Sequence, residues 1–265
     1  MLLSVYLEQA IQNQELVAYY QPQYSAKNNQ ISGFEALVRW QNPALGLIQP
    51  LEFLPLAQAT GWIVTIDRWM LKKTCEETKR LHDLGYPVIA AVNVSSLHFH
   101  QPDFVEYIEE VLEKTGLDPN FLELEMTEDV VILNLEKAQQ IMLRLIDLGV
   151  RWCLDDFGTG YSNLFYLLQF PFLRIKIDRC FIQDLDQDQN KRYIAQSIIQ
   201  LAQNLRLEVV AEGVETEAQA DWLKKQGCEV FQGYLFSEAI PLLQLKQKLW
   251  IDQYQFLSNA AESVA

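Results

Sequence analysis

Short runs of β-branched and aromatic residues recur along the chain, each bounded by turn-forming residues. Runs of this kind predict β-strands. Eight of them lie at about residues 16–24, 31–40, 87–95, 121–128, 150–157, 172–179, 207–214 and 230–237. Between the later runs, apolar residues repeat at the spacing of one helix face. Two such stripes are Leu135, Ala138, Met142 and Leu145, and then Ile194, Ile198, Leu201 and Leu205.

Several of the predicted helices end in a glycine just before the next predicted strand. These glycines are Gly85, Gly116, Gly149 and Gly227. Glycine suits the left-handed C′ position that closes a helix, because it has no Cβ to clash there. The repeated unit is therefore predicted to be helix, glycine, strand.

Eight strands with intervening helices in about 250 residues are typical of an α/β fold, the (β/α)8 or TIM-like barrel. No linker rich in Pro, Gly or Ser divides the chain. We therefore expect a single barrel domain over residues 1–257 and a flexible C-terminal tail over 258–265. The first two strands are separated by about six residues, fewer than the dozen or so that a parallel crossover requires. The first strand is therefore predicted to be antiparallel.

Composition narrows the functional classes. Hydrophobic residues make up 49% of the 265 and charged residues 21%, which is typical of a globular protein. The longest apolar runs are far shorter than the roughly 20 residues of a membrane span, so no membrane insertion is expected. The first residues lack the pattern of a signal peptide, which makes the cytoplasm the expected location.

Charge argues against one class of partner. The formal net charge is −14, and a field of that sign repels DNA and RNA polymers. A small phosphate ligand remains compatible, because bound divalent cations reverse the local sign.

The cysteines and histidines form no metal-binding pattern. Cys75, Cys153, Cys180 and Cys228 are far apart, with no C-x-x-C pair, and we expect them to be core thiols. The histidines, His82, His98 and His100, are expected at the surface or in loops.

Polar residues stand at the ends of successive predicted strands, where barrel enzymes carry their functional groups. They are Glu35, Asn93, Glu125, Asp155, Asp156, Lys176, Asp178, Glu212, Glu215 and Gln232. Carboxylates gathered at one barrel mouth repel each other unless protons or cations neutralise them. Their oxygen ligands suit Mg²⁺ or Mn²⁺.

The Asp155-Asp156 pair allows one carboxylate to bridge two ions, an arrangement used for displacement at phosphorus. The pattern therefore predicts phosphodiester or phosphate-ester hydrolysis. Taken singly, each acidic residue is more often a helix cap or a solvated rim group. Lys176 could serve only to neutralise a neighbouring carboxylate, a role that is compatible with orienting a water molecule.

At these residues the sequence resembles the EAL-domain family of cyclic di-GMP phosphodiesterases. The resemblance extends from Tyr20-Gln21-Pro22 to Gln232-Gly233-Tyr234. Between them, in order, stand Glu35-Ala36-Leu37 with Arg39-Trp40, Asn93-Val94-Ser95, Glu125-x-Thr127-Glu128, Asp155-Asp156-Phe157-Gly158-Thr159-Gly160-Tyr161-Ser162, Lys176-Ile177-Asp178 and Ala211-Glu212-Gly213-Val214-Glu215. No single motif would be specific, but the ordered set is.

The resemblance implies a TIM-like barrel with one antiparallel strand and hydrolysis of cyclic di-GMP to linear 5′-pGpG by a water activated by two Mg²⁺ or Mn²⁺ ions. It implies that one ion is held by Glu35, Asn93, Glu125 and Asp155, and the other by Asp155, Asp156 and Glu212. Lys176 would orient the water, and Glu212 is also a candidate general base. Arg39 would meet a phosphate, while Gln21, Asp178, Glu215 and Gln232 would line the substrate region.

The resemblance also implies regulation. The loop from Asp156 to Ser162, braced by Glu128, would lie beside a homodimer interface. A sensory or GGDEF domain, fused or separate, is a possible partner, and the chain could be a stand-alone enzyme or a fragment. Two other classes of function remain as alternatives: a catalytically silent cyclic di-GMP receptor that signals through a protein partner, and a pure interaction scaffold.

Overall fold

The computed structural model describes residues 2–127, 135–159 and 164–262. Its strands are β1 (Leu16–Ser25), β2 (Ile31–Asn42), β3 (Gly46–Ile48), β4 (Ile89–Asn93), β5 (Leu122–Met126), β6 (Arg151–Phe157), β7 (Arg174–Ile177), β8 (Glu208–Ala211) and β9 (Val230–Phe231). The helices are α1 (Leu2–Gln12), α2 (Pro50–Thr60), α3 (Ile63–Asp83), α4 (Ser96–Phe99), α5 (Phe104–Thr115), α6 (Leu135–Leu148), α7 (Leu164–Gln169), α8 (Arg179–Ile182), α9 (Gln189–Leu205), α10 (Glu217–Gln226) and α11 (Leu242–Glu262).

Eight of these strands close into a barrel. The sheet runs β1-β9-β8-β7-β6-β5-β4-β2-β3, and β1 also pairs with β2, which closes the ring. Pairs from β2 through β4 to β9 are parallel, whereas β1 is antiparallel to both of its neighbours. The predicted TIM-like barrel with an antiparallel first strand is confirmed.

Both faces of the parallel strands are covered. All residues of β5 and β7 are buried, as expected where a packed barrel interior lies on one side and helices on the other. The predicted helical stripes fall on α6 and α9, and most of their residues are buried or partly buried. Leu135 and Ile194, near the beginning of each helix, are exposed.

The predicted C′ glycines adopt the left-handed conformation, with φ between 69° and 105° at Gly85, Gly116, Gly149 and Gly227. At Gly149 the close approach of Asn120 adds a second restriction, since a Cβ there would lie 3.1 Å from Asn120 Oδ1. These glycines end helices and release the chain into the next strand.

The observed strands differ from the predicted ones in several places. The strands predicted at 172–179 and 207–214 are only Arg174–Ile177 and Glu208–Ala211. The last strand is only Val230–Phe231, because the chain turns after Gln232 and the N–H groups of Phe236 and Ser237 donate to Gly233 O. The short β3 was not predicted. It forms a hairpin with β2 across a turn in which Asn42 Oδ1 accepts the N–H groups of Ala44 and Leu45.

Two expectations about individual side chains are wrong. Cys75, Cys153 and Cys228 are buried as expected, but Cys180 is exposed on the one-turn helix α8. His98 is not at the surface: its side chain is 1% exposed and packs edge-on against Phe104.

The last helix continues to Glu262, so residues 258–262 have helical backbone. The division into a domain and a tail stays a prediction. Among the described helices, none combines the length and apolar character needed to cross a membrane.

Candidate active site

The carboxyl ends of the parallel strands bring the predicted acidic residues to one mouth of the barrel. Glu35, Glu125 and Asp155 lie on β2, β5 and β6, and Glu212 follows β8 directly. Side chains alternate between the two faces of a strand, and this alternation along β5 makes Glu125 face the barrel interior. The ends of four strands thus meet at one cluster.

Lys176 on β7 lies at the centre of this cluster. Its Nζ is 2.7 Å from Glu212 Oε1, 2.9 Å from Glu125 Oε2, 3.2 Å from Glu35 Oε2 and 3.2 Å from Asp155 Oδ1. The lysine is 1% exposed. One buried ammonium therefore bridges four carboxylates.

Glu35 is also held by amide side chains. Asn93 Nδ2 donates to Glu35 Oε1 at 2.6 Å, and Gln232 Nε2 donates to Glu35 Oε2 at 2.7 Å. Gln232 Nε2 also donates to Gln21 Oε1 at 3.2 Å. Burial would raise the pKa of Glu35, but Lys176 and these hydrogen bonds hold it below its usual value.

Asp156 is directed differently from its neighbour. The β6–β7 pairing shifts register between Leu154 and Phe157, and Asp156 has a left-handed φ of 52°. Its N–H donates to Asp155 Oδ1 at 2.9 Å. A bulge of this kind re-aims a side chain, and a left-handed backbone at a non-glycine residue costs roughly 1–3 kcal/mol. The strain falls on a predicted metal ligand.

The carboxylates form two overlapping groups of three. Glu35, Glu125 and Asp155 make one, and Asp155, Asp156 and Glu212 make the other; within each group, one ligand oxygen per residue lies within 4.8 Å of the others. Glu125 Oε1 is buried and has no hydrogen-bond partner among the described residues. An orphaned carboxylate oxygen in an all-oxygen donor set fits a hard divalent cation.

The cluster shifts the ionisation of its members. Burial raises the pKa values of Glu125 and Asp155, and Lys176 opposes that rise. Burial also raises the pKa of Asp156 to about 6 and that of Glu212 to about 8. For Lys176, burial would lower the pKa, but the surrounding carboxylates raise it well above its usual value. The groups share too few positive charges to ionise freely.

A cleft of about 720 Å³ opens beside the cluster. Its polar part includes Glu35, Asn93, Glu125 and Asp156. Its apolar wall comes largely from α2 and α3, and contains Leu51, Leu54, Ile63, Ile66 and Met70. The carboxylate end would accept an anionic group such as a phosphate only with bound cations, and the apolar wall would suit an apolar part of the same ligand.

Other predicted residues lie around this mouth. Arg39 is half-buried on β2, with its guanidinium 5.5 Å from the centre of the Tyr19 ring, and its Nη1 donates to Val38 O. Burial lowers the pKa of Arg39, and Glu35 acts in the opposite direction. Glu128 lies outside the described residues, as do residues 160–163 of the predicted regulatory loop.

Asp178 and Glu215 are not drawn into the cluster. Asp178 caps α8, accepting the N–H of Cys180 at 2.9 Å, although its charge contributes to the raised pKa of Asp156. Glu215 is exposed, and its backbone N–H donates to Gln219 Oε1. Their roles in binding substrate stay predictions.

Two residues that support the site were missed by the sequence analysis. Gln23 donates through Nε2 to Gln232 Oε1 at 3.0 Å, and its position two residues after Gln21 on one strand was the available signal. Asp67 Oδ2 accepts the N–H of Ser95 at 2.9 Å and so anchors the turn that follows Asn93. No local pattern singled out Asp67, because its partner lies 28 residues away.

Comparison with known proteins agrees with this geometry. The family model described as "EAL domain" matches residues 5–239. The cyclic di-GMP phosphodiesterase NbdA of Pseudomonas aeruginosa is 42% identical over 244 residues, which are 92% of this chain and 31% of NbdA. The bifunctional diguanylate cyclase/cyclic di-GMP phosphodiesterase MucR of the same species is 41% identical over 240 residues, 90% of this chain and 35% of MucR.

The chain thus spans about a third of the length of these two relatives. Among solved structures, one described as "PaMucR Phosphodiesterase, c-di-GMP complex" superposes with a TM-score of 0.89 at 41% sequence identity. That match covers 92% of this chain and 100% of the other. The ordered motifs, the barrel with its antiparallel first strand and the family match lead to one conclusion: the chain belongs to the EAL domain family.

Proposed function

We propose that this chain hydrolyses one phosphodiester bond of cyclic di-GMP and releases linear 5′-pGpG, using two Mg²⁺ or Mn²⁺ ions. The observation that carries the proposal is the pair of carboxylate groups that share Asp155 and surround Lys176 at the end of a 720 Å³ cleft. NbdA and MucR, whose names include this activity, and the cyclic di-GMP complex of PaMucR support the choice of substrate.

The carboxylates divide the work of binding metal. Glu35, Glu125 and Asp155, with Asn93 beside them, would hold one ion, and Asp155, Asp156 and Glu212 the other. Such ions, when bound, supply Lewis-acid activation of a phosphoryl oxygen and lower the pKa of water. The buried carboxylates contribute the negative charge that keeps the ions in place.

Lys176 and Glu212 are the candidates for handling the attacking water and its proton. Lys176 Nζ has three N–H donors, and carboxylate oxygens of four residues lie within 3.2 Å of it. It would therefore donate to a water molecule once metal ions draw one of these carboxylates away. Glu212 Oε1 lies 2.7 Å from Lys176 Nζ, and Glu212 is the candidate general base that would accept the proton of the water. We assign the orientation of the water to Lys176, and Glu212 is the candidate general base as well as a metal ligand.

The substrate's charge requires a positive group outside the metal site. Arg39 offers a planar guanidinium at the mouth, which can meet a phosphate with two parallel hydrogen bonds. Gln21 and Gln232 present amides beside Glu35, whereas Asp178 and Glu215 would act from the rim. The apolar wall with Leu51 and Leu54 is the surface against which a guanine base would pack.

Regulation follows from the resemblance alone. A homodimer that communicates through the loop after Asp156, with Glu128 bracing it, stays a proposal. A sensory or GGDEF partner domain is compatible with the greater length of NbdA and MucR. Action in the cytoplasm, expected from the sequence pattern of the first residues, also stays a proposal.

The test is incubation of purified protein with cyclic di-GMP and Mg²⁺ or Mn²⁺, with products separated by chromatography. We expect pGpG to form, and to disappear when metal is removed or Glu35 is replaced in Glu35→Ala. Glu113→Ala, at an exposed position on α5, is the matched control and should retain activity. Saturable nucleotide binding without pGpG would instead favour a silent receptor. The absence of both nucleotide binding and pGpG would refute the phosphodiesterase and the receptor alike.

A further inference from the structure

A chain of buried polar side chains crosses the barrel interior beneath the carboxylates. Arg174 Nη1 lies 3.4 Å from Gln23 Oε1, Gln23 Nε2 lies 3.0 Å from Gln232 Oε1, and Gln232 Nε2 lies 2.7 Å from Glu35 Oε2. All four residues are at least nine-tenths buried. The chain therefore connects the opposite end of the barrel with a predicted metal ligand.

The direction of this chain is fixed by its first member. A guanidinium has N–H donors and no acceptor, so the group of Gln23 that faces Arg174 is its oxygen. The NH₂ group of Gln23 then faces Gln232 and makes the oxygen of Gln232 its acceptor. The NH₂ group of Gln232 is left to donate to Glu35, so a donor is presented to the carboxylate.

Arg174 itself is held rigidly. Its Nη1 is 2.7 Å from Glu123 Oε1, and its Nε is 2.8 Å from Glu208 Oε2. Glu208 and Glu123 also contact Arg151. A guanidinium fixed by two carboxylates keeps both its charge and its orientation, so Arg174 presents its N–H donor to Gln23 in a fixed direction.

The fold makes room for Gln23. Gly33 lies opposite Gln23 in the β1–β2 register. A Cβ at Gly33 would lie 2.8 Å from Ile89 O and 3.2 Å from Gln23 Oε1. The absence of a side chain at residue 33 leaves space for the buried amide, which places Gln23 between Arg174 and Gln232.

We propose that Arg174 and Gln23 are positioning residues, which orient Gln232 as a donor to Glu35 and thereby raise the affinity of the site for divalent metal. This inference rests on the proposed function. If the contact from Gln23 is lost, the oxygen of Gln232 loses its donor and the amide is held less firmly. The hydrogen bond from its NH₂ group to Glu35 then weakens, and the carboxylate is less well placed in its ligand group.

The test measures Mn²⁺ affinity by electron paramagnetic resonance and calorimetry in the absence of nucleotide. Gln23→Met keeps the size of the side chain and removes both polar ends. Gln23→Glu keeps an acceptor for Arg174 and removes the donor to Gln232. Because partners of metal ligands typically affect affinity by about 10–100-fold, we expect both variants to bind Mn²⁺ at least tenfold more weakly.

A double-mutant cycle separates this role from a general loss of packing. In a Gln232→Met background, Gln23→Met should cause no further loss of affinity, because the path to Glu35 is already broken. Thr78→Val is the matched control: it removes a buried hydroxyl that donates to Thr74 O within α3. It should lower the melting temperature and leave the Mn²⁺ affinity unchanged.

The inference is overturned if either folded Gln23 variant binds Mn²⁺ as tightly as the wild type. Equal losses in the wild-type and Gln232→Met backgrounds would overturn it as well. A wild-type protein that takes up no Mn²⁺ would instead refute the proposed function, and the inference with it. The wild-type titration therefore distinguishes the two failures.

Discussion

Replacing Lys176 by methionine removes the charge at the centre of the site and keeps the length of the side chain. At about 3 Å and an effective dielectric of about 20, each contact between the ammonium and a carboxylate has a gross attraction of roughly 5 kcal/mol. Desolvation of the buried charges offsets much of this. Removal of one partner of a buried ion pair costs about 3–5 kcal/mol, and we expect that loss for Lys176→Met in metal-free protein at pH 8.

The loss should depend on pH and metal. At pH 5 the carboxyl groups around Lys176 take up protons, because burial raises the pKa values of Glu125, Asp155 and Glu212. Fewer uncompensated negative charges then remain, so the variant should approach wild-type stability. Mg²⁺ at pH 8 should stabilise the variant more than the wild type, since the ions replace the missing charge. Activity should stay low, because the N–H donors are absent.

The assay is urea unfolding followed by circular dichroism at pH 5 and pH 8, with and without Mg²⁺. Lys114→Met, which removes an exposed lysine paired with Glu110 on α5, is the control and should change stability little. A Lys176→Met protein that is as stable as the wild type at pH 8 without metal would refute the electrostatic reasoning. So would a deficit that Mg²⁺ leaves unchanged.

Three further predictions follow from the same geometry. Metal-free wild-type protein should become less stable from pH 5 to pH 8, because the folded-state pKa values of Asp156 (about 6) and Glu212 (about 8) exceed those of the unfolded chain. Melting temperatures that rise over this range would contradict this prediction. Glu125→Gln should stabilise the metal-free protein by up to about 2 kcal/mol while weakening Mn²⁺ binding, as seen by calorimetry; unchanged Mn²⁺ affinity would count against its role as a ligand. Gly213→Ala should destabilise the folded protein more than Gly61→Ala. Both glycines have a positive φ, but a Cβ at Gly213 would lie 2.5 Å from Arg179 Cβ, whereas the space at Gly61 is open. Equal urea midpoints for the two variants would show that the close approach at Gly213 is unimportant.

Much of the fold could be predicted because it depends on local rules. Residues 25–30 are too few for a crossover, which makes β1 antiparallel whatever the rest of the chain does. Gly149 and Gly227 end helices for a reason contained in their own backbone. The extent of β9 could not be predicted in this way, because residues after Phe231 are drawn into a turn by Gly233 and its contact with the Val214 backbone.

The site, like the fold, was predictable only where it depends on local rules. The convergence of Glu35, Glu125 and Asp155 was predictable from strand ends and barrel topology. The placement of one lysine among four carboxylates was not, since it depends on the exact relative heights of four strands. Gln23 and Asp67 act through partners 209 and 28 residues away, and no periodicity carries that information.

The measurement that tests the account most directly is the initial rate of pGpG formation as a function of the number of Mn²⁺ ions bound per chain. Asp155 belongs to both sets of three carboxylate residues at the barrel mouth, and in-line displacement at phosphorus commonly uses two ions. We therefore expect little product while occupancy is below one and a steep rise as it approaches two. Full activity at one ion per chain, or hydrolysis without bound metal, would contradict the account.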